Sequence, residues 1–186
     1  MKKQAGFTLV ELSIVLLVTM ILLGSLFGFY VSQIHSFRSQ ELTINTLQNS
    51  RIVMSVMTKD IRMAGYKPSG SSMVGVAQAT PATLQILSDK NLDGSISGAS
   101  EDVIYSFDVN THTVSRNGIP LLDNVELLSF VYTLDDGSTT QTPGNLSKIR
   151  KINLTLRVLS SDIDPLTKDY KRYEFITDIT PRNLPL

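Results

Sequence analysis

The chain has 186 residues, 42% of them hydrophobic, with Lys plus Arg matching Asp plus Glu at 17 each and no cysteine. That length holds one ordinary domain plus an accessory segment rather than two full domains. The even charge balance carries neither a nucleic-acid footprint nor an acidic tail, and the lack of thiols excludes disulfides, thiol catalysis and thiolate metal sites while leaving the redox compartment open.

The first element is an apolar run from Phe7 to Val31 in which Glu11 is the one charged side chain. As a helix it extends about 37 Å, enough for a bilayer core of about 30 Å. Lys2 and Lys3 precede it without an acidic residue, so the positive-inside rule puts the N-terminus in the cytoplasm and everything after Val31 on the far side. A secretory signal peptide fits poorly. The apolar run is too long, it starts after six residues, and the small residue, Gly6, stands ahead of it instead of behind.

The order KKQAG then FTLVEL resembles the class III leader of type IV prepilins and type II secretion pseudopilins. The resemblance implies that a membrane prepilin peptidase cuts between Gly6 and Phe7 and methylates the new terminus, removing Lys2 and Lys3. It also implies a role for Glu11, which becomes the fifth residue of the mature chain and pairs with the terminal amine of a neighbouring subunit at Phe7 during assembly. The physics agrees, because a lone carboxylate and a lone ammonium in lipid are each costly and pairing relieves both. The plainer reading has Glu11 reach the headgroups from near the membrane edge. The partners implied are other pilin or minor pilin subunits, the peptidase, an inner-membrane assembly platform and membrane lipid. Gly24 and Gly28 make a GxxxG spacing, with Ser25 and Ser32 as further small faces, which permits close helix approach in membranes or is ordinary glycine tolerance. Many relatives place a proline in this part of the helix; here the glycines would supply any local melting or bend.

Beyond the membrane the helix is expected to continue to Ala64, about 87 Å from Phe7. Phe37, Ile44, Leu47, Met54, Met57, Ile61 and Ala64 recur at mostly three-, four- and seven-residue spacings, with Gln40, Gln48, Asn49, Arg51, Lys59 and Arg62 on other faces. Arg62 in the last turn, Gly65 as the C-terminal cap and Pro68 beyond are stop signals. A Gly/Ser-rich piece, Ser69 to Met73, then reads as a linker.

The period next changes to that of strands. TLQILS from Thr83, DVIYSFD from Asp102, VELLSFVYTL from Val125, KINLTLRVL from Lys151 and YKRYEFITDI from Tyr170 are rich in β-branched and aromatic residues. Ile152, Leu154, Leu156 and Val158 alternate onto one face, as do Tyr173, Phe175 and Thr177. NLDGSISG, RNG, DDGST, QTPGN and DIDP are turn clusters that imply antiparallel connections. The fold class is α+β: a long N-terminal helix whose outer half packs on a mostly antiparallel C-terminal sheet. The expected division is a leader at 1–6, the helix at 7–66 and a β-rich globular domain at 67–186.

VMTKDIRMAGY, DKNLDG, EDVIYSF, LLDNVELLSFVYTL, the long KIRKINLTLRVL segment and a closing TPRNL resemble, in that order, PilW-type minor pilins and the related J-type pseudopilins. Relatives often carry a cysteine soon after AGY; this chain reads AGYKPSG, so no disulfide is carried over. The function implied is a minor pilin that primes or tips a type IV pilus. The alternatives are a J-type pseudopilin of type II secretion or an unprocessed membrane-anchored calcium-binding module.

One loop has a metal-binding pattern. Asp89, Asn91, Asp93 and Gly94 match the DxNxDG start of calcium loops, with Ser95 offering its carbonyl. The twelfth position is Ser100, and Glu101 and Asp102 come one place late, so an EF-hand is excluded. A shortened loop closed by Glu101 or Asp102 would suit Ca2+ at about 0.1 to 1 mM; the other reading is a polar hairpin loop built on Asx turns. No enzyme motif surrounds His35 or His112, Asp135 and Asp136 read as a solvated turn, and Asp60 is placed to pair with a base in its own chain or in a neighbour.

Overall fold

The computed structural model describes residues 6–67, 74–96 and 98–184. The leader before Gly6 and the linker expected at Ser69 to Met73 lie outside them. Helix α1, Leu9–Arg62, is unbroken through Gly24 and Gly28, and its 54 residues rise about 81 Å. It stops two residues before the expected Ala64, with Met63 as cap. Gly65 is left-handed at φ 78°, yet its N–H donates to the Leu87 carbonyl at 2.9 Å rather than back into the helix. A side chain there would meet the Asn183 carbonyl oxygen at 2.6 Å, so this glycine serves the helix-to-sheet junction.

Among the described residues nine strands follow: β1 Val76–Ala79, β2 Thr83–Leu87, β3 Asp102–Asp108, β4 Thr113–Arg116, β5 Ile119–Leu122, β6 Val125–Leu134, β7 Thr139–Thr140, β8 Ile149–Ile163 and β9 Tyr170–Ile179. They form two antiparallel sheets, ordered β1-β2-β3-β4-β5 and β7-β6-β8-β9, where the sequence pointed to one. The Asn117-Gly118 pair, both with positive φ, turns β4 into β5 with Arg116 opposite Ile119, as an Asn-Gly hairpin does. The Asn117 side chain also donates to the carbonyls of Ala99 and Asp102 at 2.9 and 3.0 Å and accepts the Ile104 N–H at 2.7 Å.

One core joins the helix to both sheets. Val53, Met57, Ile61 and Ala64 of the helical arm pack with Leu84, Ile86, Val103 and Tyr105 of the first sheet and with Phe130, Ile152, Leu154 and Leu156 of the second. The alternation expected from Ile152 to Val158 is realised, all four being buried. The buried stripe of α1 differs from the expected one. It runs through Ser39, Leu42, Thr46, Ser50, Val53, Met57, Asp60 and Ile61, while Phe37 and Ile44 are 69% and 52% exposed. Small hydroxyl residues let β8 and β9 come close, and their polarity is satisfied locally: Thr46 and Ser50 donate to the carbonyls four residues back at 2.7 Å. Lys171 of β9 then donates to the Ser39 carbonyl and hydroxyl and to Thr43 Oγ1 at 2.7–2.9 Å, and Tyr173 donates to Thr43 Oγ1 at 3.1 Å.

At the distal end, Asp60 of α1 is 7% exposed and ties the helix to the first sheet. It accepts from Lys90 Nζ at 2.9 Å, from the Tyr105 hydroxyl at 2.8 Å and from Arg116 Nε and Nη2 at 3.2 and 3.0 Å, so its pairing is within the chain. Burial alone would raise its carboxyl, but hydrogen bonds from Lys90 and Tyr105 and the charge of Lys90, with Arg116, outweigh burial and hold it below the ordinary value. Burial first, and then the Asp60 charge, push the Tyr105 phenol up, keeping it a donor.

A depressed carboxyl contributes stability above its unfolded pKa of about 4 and loses it as pH falls through the lower folded value. Lys90 and Arg116 are each 28% exposed, so breaking the cluster costs less than the 3–5 kcal/mol of a fully buried pair. Asp60→Asn is expected to lower the unfolding free energy of the full chain by about 2 kcal/mol at neutral pH. The difference from wild type should narrow below about pH 4. Urea melts in detergent at both pH values measure it, and a gap independent of pH would show that the carboxylate's charge is not what matters.

Candidate functional site

Thr8 precedes α1 in an extended conformation and caps it. Its hydroxyl oxygen accepts the Glu11 N–H at 3.2 Å, while Glu11 Oε2 accepts from the Thr8 N–H and hydroxyl, each at 3.2 Å. This reciprocal capping box satisfies donors that a helix start leaves open, and it puts a negative charge at the positive end of the helix dipole. Glu11 therefore has a partner inside its own chain. The residue that sequence reasoning passed over is Thr8, although its signal was present: TLVE has the T-x-x-E spacing directly ahead of an apolar run.

Gly6 and Phe7 stand just outside the capped turn, and Phe7 is 86% exposed. A Cβ added to Gly6 would meet nothing within 4 Å, so the fold does not itself require glycine at this position. From Phe7 to Tyr30 no side chain is covered by the rest of the protein, and α1 is long and apolar enough there to cross a membrane. Ser13 and Ser25 return their hydroxyls to the Leu9 and Ile21 carbonyls at 2.9 Å, which satisfies these two donors within the helix. Gly24 and Gly28 also have open space above them.

The acidic loop lies at the opposite end of the chain's fold, between β2 and β3. Asp89 and Glu101 are each 1% exposed. Asp89 accepts the Leu92 and Gly94 N–H groups at 2.9 and 3.2 Å; Glu101 accepts those of Lys90 and Asn91 at 3.0 Å and of Gly98 at 3.2 Å. The more exposed members bond along the loop. Asn91 accepts the Asp93 N–H at 2.9 Å and donates to Asp93 Oδ2 at 2.8 Å, and Asp93 accepts the Ser95 N–H at 2.7 Å. Asp102 turns to β2, where it accepts from Gln85 Nε2 at 2.8 Å.

The fold thus gathers Asp89, Asn91, Asp93, Ser95 and Glu101 into one loop and leaves Asp102 outside it. Among the described residues no group of three or more His, Cys, Asp or Glu side chains is placed to hold a metal ion. As folded, the loop carboxylates serve backbone donors, and the loop holds Lys90 where its ammonium meets Asp60. His112, at positive φ, sits in a turn with Nδ1 3.1 Å from the Val125 carbonyl oxygen.

Comparison with known proteins bears on the first of these two regions. The family model for the prokaryotic N-terminal methylation motif matches residues 1–27, and no curated protein matches the chain. The matched segment contains the Gly6–Phe7 junction, the capping box and most of the uncovered apolar helix, and behind it stand the antiparallel sheets. That motif at the head of this architecture supports a type IV pilin-like protein and indicates a prepilin peptidase substrate.

Proposed function

We propose that the protein is a minor pilin, cleaved between Gly6 and Phe7, N-methylated, and polymerised through α1 to prime or tip a type IV pilus. The observation that carries this reading is the division of one helix into two environments: the matched N-terminal part has no protein against it, while the part from Ser39 onward is fastened to the sheets. A subunit stored in the inner membrane with its globular part outside the cytoplasm can exchange lipid around the first part for the helices of neighbours and keep its folded domain unchanged. The order of motifs along the globular half supports the PilW-type reading over a J-type pseudopilin. Glu11 is proposed to take the neighbouring subunit's terminal amine in the assembled state, leaving its Thr8 partner.

Mass spectrometry of the protein purified from its membrane is expected to find a chain that starts at a methylated Phe7. An intact Met1 on functional protein would overturn processing and favour a plain anchor. Glu11→Ala should be inserted and cleaved as wild type but be absent from sheared fibres; its normal incorporation would remove Glu11 from assembly. Deleting the gene separates the two machines, since loss of surface piliation supports the minor pilin and loss of hydrolase export supports the pseudopilin.

Calcium is a secondary proposal for the 89–101 loop, supported by its DxNxDG pattern and its all-oxygen donors. Binding would need Asp89 and Asp93 to give up some backbone donors to the ion. Calcium at about ten times its dissociation constant would stabilise the chain by about 1.4 kcal/mol. The expected outcome is a higher melting temperature with calcium than with chelator, abolished in Asp89→Ala. Equal melting temperatures would leave a loop held by its hydrogen bonds alone.

A further inference from the structure

A groove of about 590 Å3 runs between the distal part of α1 and β9. Arg51, Lys59, Arg62 and Arg182 line it, and no carboxylate does. None of these four side chains makes an ion pair or hydrogen bond among the described residues. Elsewhere eight lysines and arginines hold carboxylates, so the unpaired cations are concentrated here. The backbone also brings two of them together: the Arg182 N–H donates to the Arg62 carbonyl at 3.1 Å. The helix dipole accounts for Lys59 and Arg62 in the last turn. It does not account for Arg51, three turns earlier, or for Arg182, which comes from the segment after β9.

We propose that this groove binds an acidic, extended segment of a partner protein. Arg51, Lys59 and Arg62 follow one stripe of the helix at spacings of eight and three residues, about 16 Å end to end. A strand advances about 3.3 Å per residue and sends every second side chain the same way, so about five residues with alternate carboxylates span the stripe. The floor is apolar, with Met54 and Met63, and adaptable methionines suit the intervening apolar side chains. β9 contributes Thr177 to the groove and is an edge strand, with one row of backbone groups lacking a strand partner and able to pair with an added chain. A nucleic acid fits less well. No aromatic residue lines the groove for base stacking, and the formal charge of the chain is zero, so no wide positive field draws in a polyanion.

The test uses the full chain in detergent micelles and fluorescein-labelled peptides of about nine residues, alternating glutamate with valine or glutamine with valine. The glutamate peptide is expected to bind, and the glutamine peptide to bind at least about tenfold more weakly. The double variant Arg51→Glu, Arg182→Glu should lose affinity for the glutamate peptide by at least about tenfold while melting like wild type, because neither side chain has a partner among the described residues. No binding at low salt, equal binding of both peptides, or unchanged binding to the double variant would overturn the proposal. Tighter binding of a single-stranded oligodeoxynucleotide would reassign the groove to nucleic acid and overturn it as well.

Discussion

The rest of the structure depends on one constraint: a single continuous helix must be covered by two different surroundings. From Phe7 to Tyr30 its side chains point outward on every side with nothing of the protein against them. From Ser39 to Ile61 one stripe is sealed beneath the sheets. An apolar helix without a polar face finds no stable place in water, so the first segment needs lipid or other helices around it. The second segment needs neither, because its own chain covers it. The boundary lies near Arg38, whose ion pair with Asp162 at 2.8 Å is, among the described residues, the first ion pair from the helix to the β domain.

What fastens the two halves is polar at both ends and apolar between. Lys171 and Tyr173 hold Ser39 and Thr43 near the membrane side, and Asp60 with Lys90, Tyr105 and Arg116 closes the distal side. Met57, Ile61 and the facing sheet residues fill the space between them. Apolar packing supplies stabilisation without direction, whereas the clusters at the ends accept one register of the helix on the sheets. A shift of one residue would carry Asp60 away from all three of its donors and leave charges uncompensated in a largely buried place. The acidic loop belongs to this fastening too, since Glu101 and Asp89 hold the backbone from which Lys90 extends.

The parts legible in the sequence were those in which chemistry and period coincide. The apolar helical run, the strands at Val125, Lys151 and Tyr170, and the Asn-Gly turn each combine composition with spacing, and the fold follows them. The buried stripe of the helix was misread because Ser39, Thr46 and Ser50 are polar by composition and buried by virtue of their size, whereas Phe37 and Ile44 are apolar and left outside. Hydropathy ranks these positions in the wrong order; close approach of β8 and β9 decides them. The strands β1, β4, β5 and β7 are short, and Pro120 interrupts one of them, so their pairing comes from hairpin partners and not from a pattern of their own. Asp60 could be named as an ion-pair residue, but its partners lie 30, 45 and 56 positions away, beyond the reach of any local rule.

Glu11 joins these themes. Left alone among apolar side chains, a carboxylate is costly, and the capping box answers that cost with the N–H and hydroxyl of Thr8. Those donors are neutral. An ammonium brought to the same oxygens adds the attraction of a full positive charge to the hydrogen bond, and the advantage grows where water is excluded. Cleavage at Gly6 would create such an ammonium one residue ahead of Thr8 in every copy, and the box would then be the arrangement of a waiting subunit. On this view the capping threonine sets the threshold that a neighbour's amine must exceed. A weaker cap would leave the stored subunit poorly satisfied in the membrane, and a stronger one would hold Glu11 back from its partner.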